Sequence, residues 1–525
     1  MSSINIPDVS VNLVPEQSVG DLTRPRTLIV GTVPAAKNTI FGAGTSKFLQ
    51  VSQQVSFEQM DDSDIADMVG TGSLYHRIVM AKKGSNKLVP IDLLLVKNAT
   101  ATDTTTITFA AAATMKSTIT VRVFNGFYFS AAVKAIAGMT ATDIADAVAE
   151  QLNNSVNAPF TAAAAAGVVT LTWVDGFVTE STPVHVTTID TAVLPTIAHV
   201  STTAPTQPLT DLFDAIGEQR YTSILWPEYY FDKVNVPNQF LLDRFNTFND
   251  ILDGVVYTTK TGGLVDLIAD TATLSGQPMC FTVDKLIDGL HGASIGSSSN
   301  TLPDVRKAFI AVAVDRMRVP DADLTDIVSG AEGLKDYVGG GELASLPYHN
   351  MPIPYTLADN PAWYFKHEEQ KQLNDNNLST MGVNRAGNTN ISGNLVTMWK
   401  TDAAGNTNTI WTPLEHLWTS SVLREQVVAD LRVFLGKTRM TNGDLVFGRS
   451  MVNQASVEEF LDNKFKEYGV KTWVTAGDEA LEKFQKRRFV TLTPAEQKVT
   501  IEAEYEIVTH VGSVVFTLRT TTQYS

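Results

Sequence analysis

The sequence predicts a multidomain protein of mixed α/β and α+β class. It divides into a layered α/β core, a β-rich domain inserted into that core, and a C-terminal α+β domain. Three observations lead there. At 525 residues the chain exceeds what one hydrophobic core usually holds, so roughly two to four domains are expected. Short apolar runs alternate with amphipathic segments of helical period on both sides of residues 97–205, as in a layered, largely parallel sheet. Within 97–205 the composition shifts to Ala, Thr and Val with few charges, and strand patterns dominate.

Residues 1–25 form an arm. Ile4 and Ile6 alternate on one parity and Val9, Val11 and Leu13 on the other, with the switch at Pro7-Asp8, where a bulge would re-aim a strand. Pro7 and Pro15 exclude a central strand. A disordered terminus and an edge strand docking on another sheet both fit. Alternating Ile and Val are wasted on a disordered tail, which favours the docking strand.

Residues 26–96 open the α/β core, with strands over Thr27–Val33 and Val89–Val96 and helices over Ser63–Met68 and Leu74–Ala81. The insert, 97–205, carries strands over Thr105–Phe109, Ile119–Phe124, Val168–Trp173 and Val184–Ile189. Its helix, Ala141–Leu152, has Ile144, Ala145, Val148 and Leu152 on one stripe. The core resumes over 206–345. Helices are expected at Leu209–Gly217, Asn238–Phe248, Leu264–Ala272 and Asp284–Leu290, and strands at Ser223–Trp226, Gly254–Thr259, Pro278–Val283 and Phe309–Val314. Residues 346–410, rich in Asn and Gly, form an irregular connecting segment.

Residues 411–525 are the C-terminal α+β domain. A long helix carries Leu414, Leu417, Trp418, Val422, Val427, Leu431 and Leu435, and a second amphipathic helix is marked by Val457, Phe460, Leu461, Phe465 and Tyr468. Val499, Ile501, Ala503, Tyr505 and Ile507 then alternate with Thr500, Glu502, Glu504 and Glu506, the period of a strand. After the turn residues Gly512-Ser513, Val514, Phe516 and Leu518 resume the alternation. Two strands alone are marginal in water and an open edge invites a partner, so a mate is expected in this chain or in another copy.

A net charge of −16 argues against nucleic-acid binding and against adsorption to anionic membranes. The single cysteine, Cys280, sits in an apolar run and excludes an internal disulfide or a cysteine-rich metal site. The start at Met1 lacks a basic stretch followed by an apolar core, and no apolar run reaches about 18 residues. The expectation is a chain made and kept in a cytoplasm.

Motifs for chemistry are incomplete. The Gly-rich segments 42–45 and 70–73 match neither phosphate-binding pattern and fit helix-start turns, so no cofactor is expected. Residues 292–296 (GASIG) match G-x-S-x-G around Ser294, but the helical segment expected before it is the wrong context for a nucleophile elbow. His367-Glu368-Glu369 lacks the second His of a zincin, and Asp61-Asp62-Ser63-Asp64 lacks the Gly and terminal Glu of a calcium loop, so no metal is expected. Lys483, Lys486, Arg487 and Arg488, with Lys464, Lys466 and Lys471 nearby, are the one basic region of an acidic chain. A solvated helix face or a contact for an acidic protein partner both fit.

The order of several segments resembles the contractile tail sheath proteins of myophages, in particular the Mu-like branch. These are residues 26–35 (RTLIVGTVPA), 68–77 (MVGTGSLYHR), 221–227 (YTSILWP), 378–383 (LSTMGV), 393–399 (GNLVTMW) and 423–432 (LREQVVADLR), with the inserted domain in the expected place. The resemblance implies a non-enzymatic structural subunit with no cofactor and no metal. Its copies would form six-membered rings stacked helically around an inner tail tube, bounded by baseplate and tail terminator proteins. It would be assembled in the host cytoplasm into the virion, without binding nucleic acid or inserting in a membrane. The sheath would contract from a metastable extended state to drive the tube through the host envelope. Terminal arms would add strands to a neighbour's C-terminal sheet. Ile4, Ile6, Val9, Val11 and Leu13 would be the donated N-terminal strand, Val499, Ile501, Ala503, Tyr505 and Ile507 the accepting sheet, and Val514, Phe516 and Leu518 the closing or donated strand. Lys464, Lys466, Lys483, Arg487 and Arg488 are candidates for the tube contact, and the insert would face outward. A tailocin or extracellular injection sheath fits the same features. A hydrolase using Ser294 and a surface-array protein are more distant alternatives.

Overall fold

The computed structural model describes residues 25–42, 44, 46–49, 61–85, 89–97, 103–124, 128–156, 158–174, 182–200, 209, 212–216, 220–244, 254–274, 277–288, 293–297, 303–317, 348, 351, 353, 364–383, 389–400, 411–436, 438–446, 449–493 and 498–508. These are mixed α/β, with several sheets, and fall into two compact units, residues 25–417 and 418–508.

The first unit starts at β1 (Thr27–Thr32), buried along its whole length as a parallel strand covered on both faces must be. β2 (Ser46–Leu49), α1 (Asp62–Val69), α2 (Leu74–Ser85) and β3 (Ile91–Val96) follow. The side chains of Asp61 and Asp64 cap each other's backbone N–H groups and start α1. On α2, Tyr75 donates its hydroxyl to the Ile29 carbonyl at 2.8 Å. A Cβ on Gly31 would stand 2.5 Å from the Tyr75 ring, so only glycine lets the helix approach this closely.

Residues 103–200 contribute β4 (Thr104–Thr108), β5 (Ser117–Phe124), β6 (Tyr128–Ala135), α3 (Ala141–Asn153), β7 (Phe160–Ala165), β8 (Val168–Trp173), β9 (Val184–Thr187) and β10 (Thr196–Val200). β10–β4–β8–β7 is a four-stranded antiparallel sheet. α3 packs on β6, β7 and β8 and buries the stripe of Ile144, Ala145, Val148 and Leu152 that its sequence predicts. Trp173 Nε1 donates to Thr105 Oγ1 at 2.9 Å, and Thr105 Oγ1 meets His199 Nδ1 at 2.7 Å.

The parallel sheet continues with β11 (Ser223–Leu225), α4 (Asn235–Arg244), β12 (Val255–Gly262), α5 (Leu264–Thr271), β13 (Gln277–Asp288), β14 (Ala293–Ser297) and α6 (Pro303–Met317). Its order is β2–β3–β1–β11–β12–β13, parallel throughout except for β2. α7 (His367–Asp375), β15 (Ser379–Val383), β16 (Thr389–Ser392) and β17 (Thr397–Met398) complete the unit, with β15 parallel to β13.

Four expectations need correction. Phe309–Val314 is not a strand but the middle of α6, whose side chains are buried from Pro303 to Asp315. A helix buried all round has no polar stripe, and an apolar run then looks the same in either structure. Asp284–Leu290 does not open a helix, because β13 runs on to Asp288, where Leu286–Asp288 pair with β14. At 209–217 the described residues hold a short 3-10 turn, Asp214–Ile216. Residues 346–410 contain α7 and three strands, so that segment is not irregular throughout.

The second unit takes α8 (Leu414–Leu435) from Trp418 on, a short parallel pair β18 (Arg439–Met440) and β19 (Met451–Val452), α9 (Gln454–Val470), α10 (Asp478–Arg487), β20 (Phe489–Thr493) and β21 (Lys498–Glu502). α9 starts at a reciprocal cap between Asn453 and Ser456 and buries Val457, Leu461, Phe465 and Tyr468. Phe460 stacks on Phe434 with ring centroids 4.1 Å apart.

Candidate assembly interface

β21 pairs antiparallel with β20, setting Val490 opposite Ile501 and Leu492 opposite Val499. Among the described residues this sheet has two strands, and each carries a ladder on one side only. The predicted alternation holds through Ile507: Val499, Ile501, Ala503, Tyr505 and Ile507 are half-buried, while Thr500, Glu502, Glu504 and Glu506 are exposed. The ladder to β20 ends at Glu502. Beyond it the chain changes partner: Thr475 N–H donates to the Glu506 carbonyl at 2.8 Å, Val508 N–H to the Trp473 carbonyl at 3.3 Å, and Ile507 bridges Val474. The Tyr505 ring fills a groove between α9 and α10, with centroids 4.9 Å from Phe484 and 6.2 Å from both Phe465 and Tyr468. Residues 498–508 thus have in-chain partners along their length. Ile4, Ile6, Val9, Val11, Leu13, Val514, Phe516 and Leu518 lie outside the described residues.

The basic candidates sit on α9, on α10 and at the joint into β20. Lys464 Nζ lies 3.2 Å from Asp430 Oδ2 and 2.8 Å from Glu467 Oε2. Burial works to lower its pKa, but these two carboxylates raise it by more. Lys483 pairs with Glu479 at 3.0 Å, Lys486 with Glu482 at 2.6 Å and Arg487 with Glu504 at 3.3 Å, while Arg488 pairs with Asp462. The α10 pairs have Glu one turn N-terminal to Lys, the favourable orientation on a helix. Lys466 is exposed. The region is therefore charge-balanced rather than a one-sign patch.

The position where a parallel α/β sheet takes a ligand is filled by the chain itself. Strand order reverses between β1 and β11, and such a crevice, at the carboxyl ends of the strands, is the usual binding place. Here the turn after β11 folds over it. The Tyr229 hydroxyl oxygen accepts from the N–H of Thr32 at 2.7 Å and from its hydroxyl at 2.9 Å. At the same ends of β11 and β12, Asp304 accepts from Glu228 N–H at 3.0 Å and Thr259 Oγ1 at 3.2 Å and pairs with Lys307, whose Nζ also donates to the Trp226 carbonyl. At the opposite ends of the strands, Asp315 accepts from Lys82 Nζ and Thr27 Oγ1, both at 2.9 Å, and from Ser223 Oγ at 2.7 Å; Lys82 and Asp315 are both fully buried.

Ser294 lies mid-strand in β14, buried, opposite His185 of β9. The strand on each side of it replaces the helical context expected from sequence, and no strand-to-helix turn presents its hydroxyl. Burial pushes the Cys280 thiol up to about 12, as for an inert core thiol. Among the described residues no three His, Cys, Asp or Glu side chains group to hold a metal ion, and no helix is long and apolar enough to cross a membrane.

Sequence reasoning missed β20 and the buried charge network. β20 carried a signal: in Phe489–Thr493, Val490 and Leu492 alternate with Thr491 and Thr493. The network carried one too, since Asp304 and Lys307 are three apart, a helical spacing, just before the run expected as a strand, Phe309–Val314. No protein-family model matches the chain, and no curated protein matches it.

Proposed function

We propose that the chain is a non-enzymatic structural subunit of a contractile tail sheath, its copies stacked as six-fold rings around an inner tail tube and linked by exchanged strands. The observation that carries this reading is the β20–β21 sheet: among the described residues it has two strands, with alternating side chains and one unladdered side on each. Such a sheet gains from added strands, and the alternating segments 1–14 and 514–518 are suited to supply them. The in-chain partners of residues 498–508 support that strand as the accepting sheet, with 514–518 proposed as the closing or donated strand. The plugged crevice at the β1–β11 switch point supports a structural rather than a ligand-binding role for the α/β core. A tube contact through Lys464, Lys483, Arg487 or Arg488 would share their existing ion pairs, and Lys466 is a further exposed cation. Rings, tube, baseplate, terminator and virion localisation all come with this reading, and a tailocin sheath would use the same contacts.

Deletion of residues 1–20 tests it. The expected product is a folded subunit, with unchanged circular dichroism, that no longer forms tubes or stacked rings in electron micrographs. Normal polymerisation after the deletion would overturn the strand-exchange assignment.

A further inference from the structure

We infer that Lys483 and Arg487 form a salt-sensitive clasp that holds the extended segment 503–508 against its own chain through Glu504 and Glu506.

Spacing carries the argument. Lys483 and Arg487 are four apart on α10 and so lie on one helix face, about 6 Å apart. Glu504 and Glu506 are two apart in an extended segment and project from its exposed face, about 6.5–7 Å apart. One pair across the rows is in contact and the other acts at longer range. Arg487 Nη1 stands 3.3 Å from Glu504 Oε2, and Lys483, bound first to Glu479, is also attracted by Glu506. Without the cations, Glu502, Glu504 and Glu506 would form an unrelieved row of like charges along one face.

Among the described residues the other ties of this segment are the bridge of Ile507 to Val474, which is made by the two backbone hydrogen bonds to Trp473 and Thr475, and the packing of the Tyr505 ring. The Tyr505 hydroxyl is buried with no hydrogen-bond partner among the described residues, so it is hydrated when the segment lifts, which eases opening. Exposed ion pairs are screened by salt while apolar contacts are not, so ionic strength sets how firmly the segment is held. Opening would uncover the groove formed by Phe465, Phe484 and Tyr468 and free the direction in which the chain continues past Val508. The clasp belongs to a single chain and stands or falls whether or not that chain assembles.

The test is backbone hydrogen exchange on the full chain at about 0.05 M and about 1 M sodium chloride. The Thr475 and Val508 amides report the segment, and the Trp473 amide, bonded to the Tyr468 carbonyl, is the control. The expected result is exchange about three- to tenfold faster at high salt for the two reporters, with the control unchanged. The variant Lys483→Glu/Arg487→Glu should show the fast exchange already at low salt, and adding Glu504→Lys/Glu506→Lys should restore slow exchange. A wild-type chain without salt response, or a quadruple variant exchanging as fast as the double one, overturns the clasp. If the variants fail to fold, the wild-type titration decides alone.

Discussion

Replacing Asp315 by Ala removes the carboxylate that, among the described residues, Lys82 contacts in the interior of the first unit, where both side chains are fully buried. Two hydroxyls, Thr27 Oγ1 and Ser223 Oγ, lose their acceptor at the same time. Breaking a buried pair from one side costs about 3–5 kcal/mol. Lys82 escapes a larger penalty by giving up its proton, which at pH 7 costs at most about 5 kcal/mol, about 1.4 kcal/mol for each unit below its unfolded value near 10.4. Burial already lowers the Lys82 pKa, and Asp315 is the group that pulls it back up. In the variant the folded state therefore holds a neutral amine and the unfolded state a charged one. The unfolded state binds more protons, so the variant's stability rises with pH, by about 2–3 kcal/mol between pH 7 and pH 9. The double variant Lys82→Met/Asp315→Leu buries no charge and should recover most of the loss, leaving about 1–2 kcal/mol for the two hydroxyls. Urea titration read by exchange of the β1 amides reports this unit alone. A loss under about 1 kcal/mol for Asp315→Ala, or a double variant no more stable than the single one, would refute the reasoning.

Two further outcomes can be checked directly. Burial, with Arg122 adding to it, pushes His185 down to about 4, and burial pushes His199 down to about 4 against the opposing Thr182 carbonyl. Below the unfolded value near 6.5 the unfolded chain takes up protons that the folded one refuses, so stability falls on acidification. The loss at pH 5 is about 2 kcal/mol per histidine, and His199→Gln should remove one share of it when unfolding is followed by exchange of the β8 amides. Tyr505→Phe removes a buried hydroxyl without a partner among the described residues and should leave the second unit as stable or up to about 1 kcal/mol more so in thermal unfolding, whereas Tyr505→Ala should cost about 2–3 kcal/mol.

Much of the fold was legible wherever one face of an element meets water. The stripe of α3, the stripe of α9 and the alternation from Val499 to Ile507 all appear in burial as they do in sequence. Legibility failed where burial is complete or where tertiary pairing overrides local preference. α6 is covered on every side, so its apolar middle has no period to show. Leu286–Asp288 belong to a strand because β14 lies beside them, a fact absent from their own residue types. β7 was missed because, after Phe160 and Thr161, its run to Ala165 is all alanine, which carries no strand signal. At the candidate interface, a mate was expected in this chain or in another copy, and the in-chain partner of β21 is β20, which precedes it and was not read as a strand. The basic residues were identified as a cluster, but the carboxylates that match them lie on other elements or one helical turn away, visible only once the chain is folded.

β13 is the element with the widest reach in the first unit. Its first part lies parallel to β12, and its last three residues turn the same strand into the partner of β14, which in turn pairs with β9. β14 also lends Ala293 to the hydrophobic cluster of residues 103–200. A stretch that resembles a detachable module in sequence is therefore spliced into its host by a continuous ribbon of backbone hydrogen bonds. Excising residues 97–205 would uncover one edge of β14 and leave Ala293 without its cover, so a clean deletion requires a replacement strand or removal of β14 as well. For the same reason a twist imposed on the parallel sheet is passed to β14 and β9 through the backbone ladder of β13 itself.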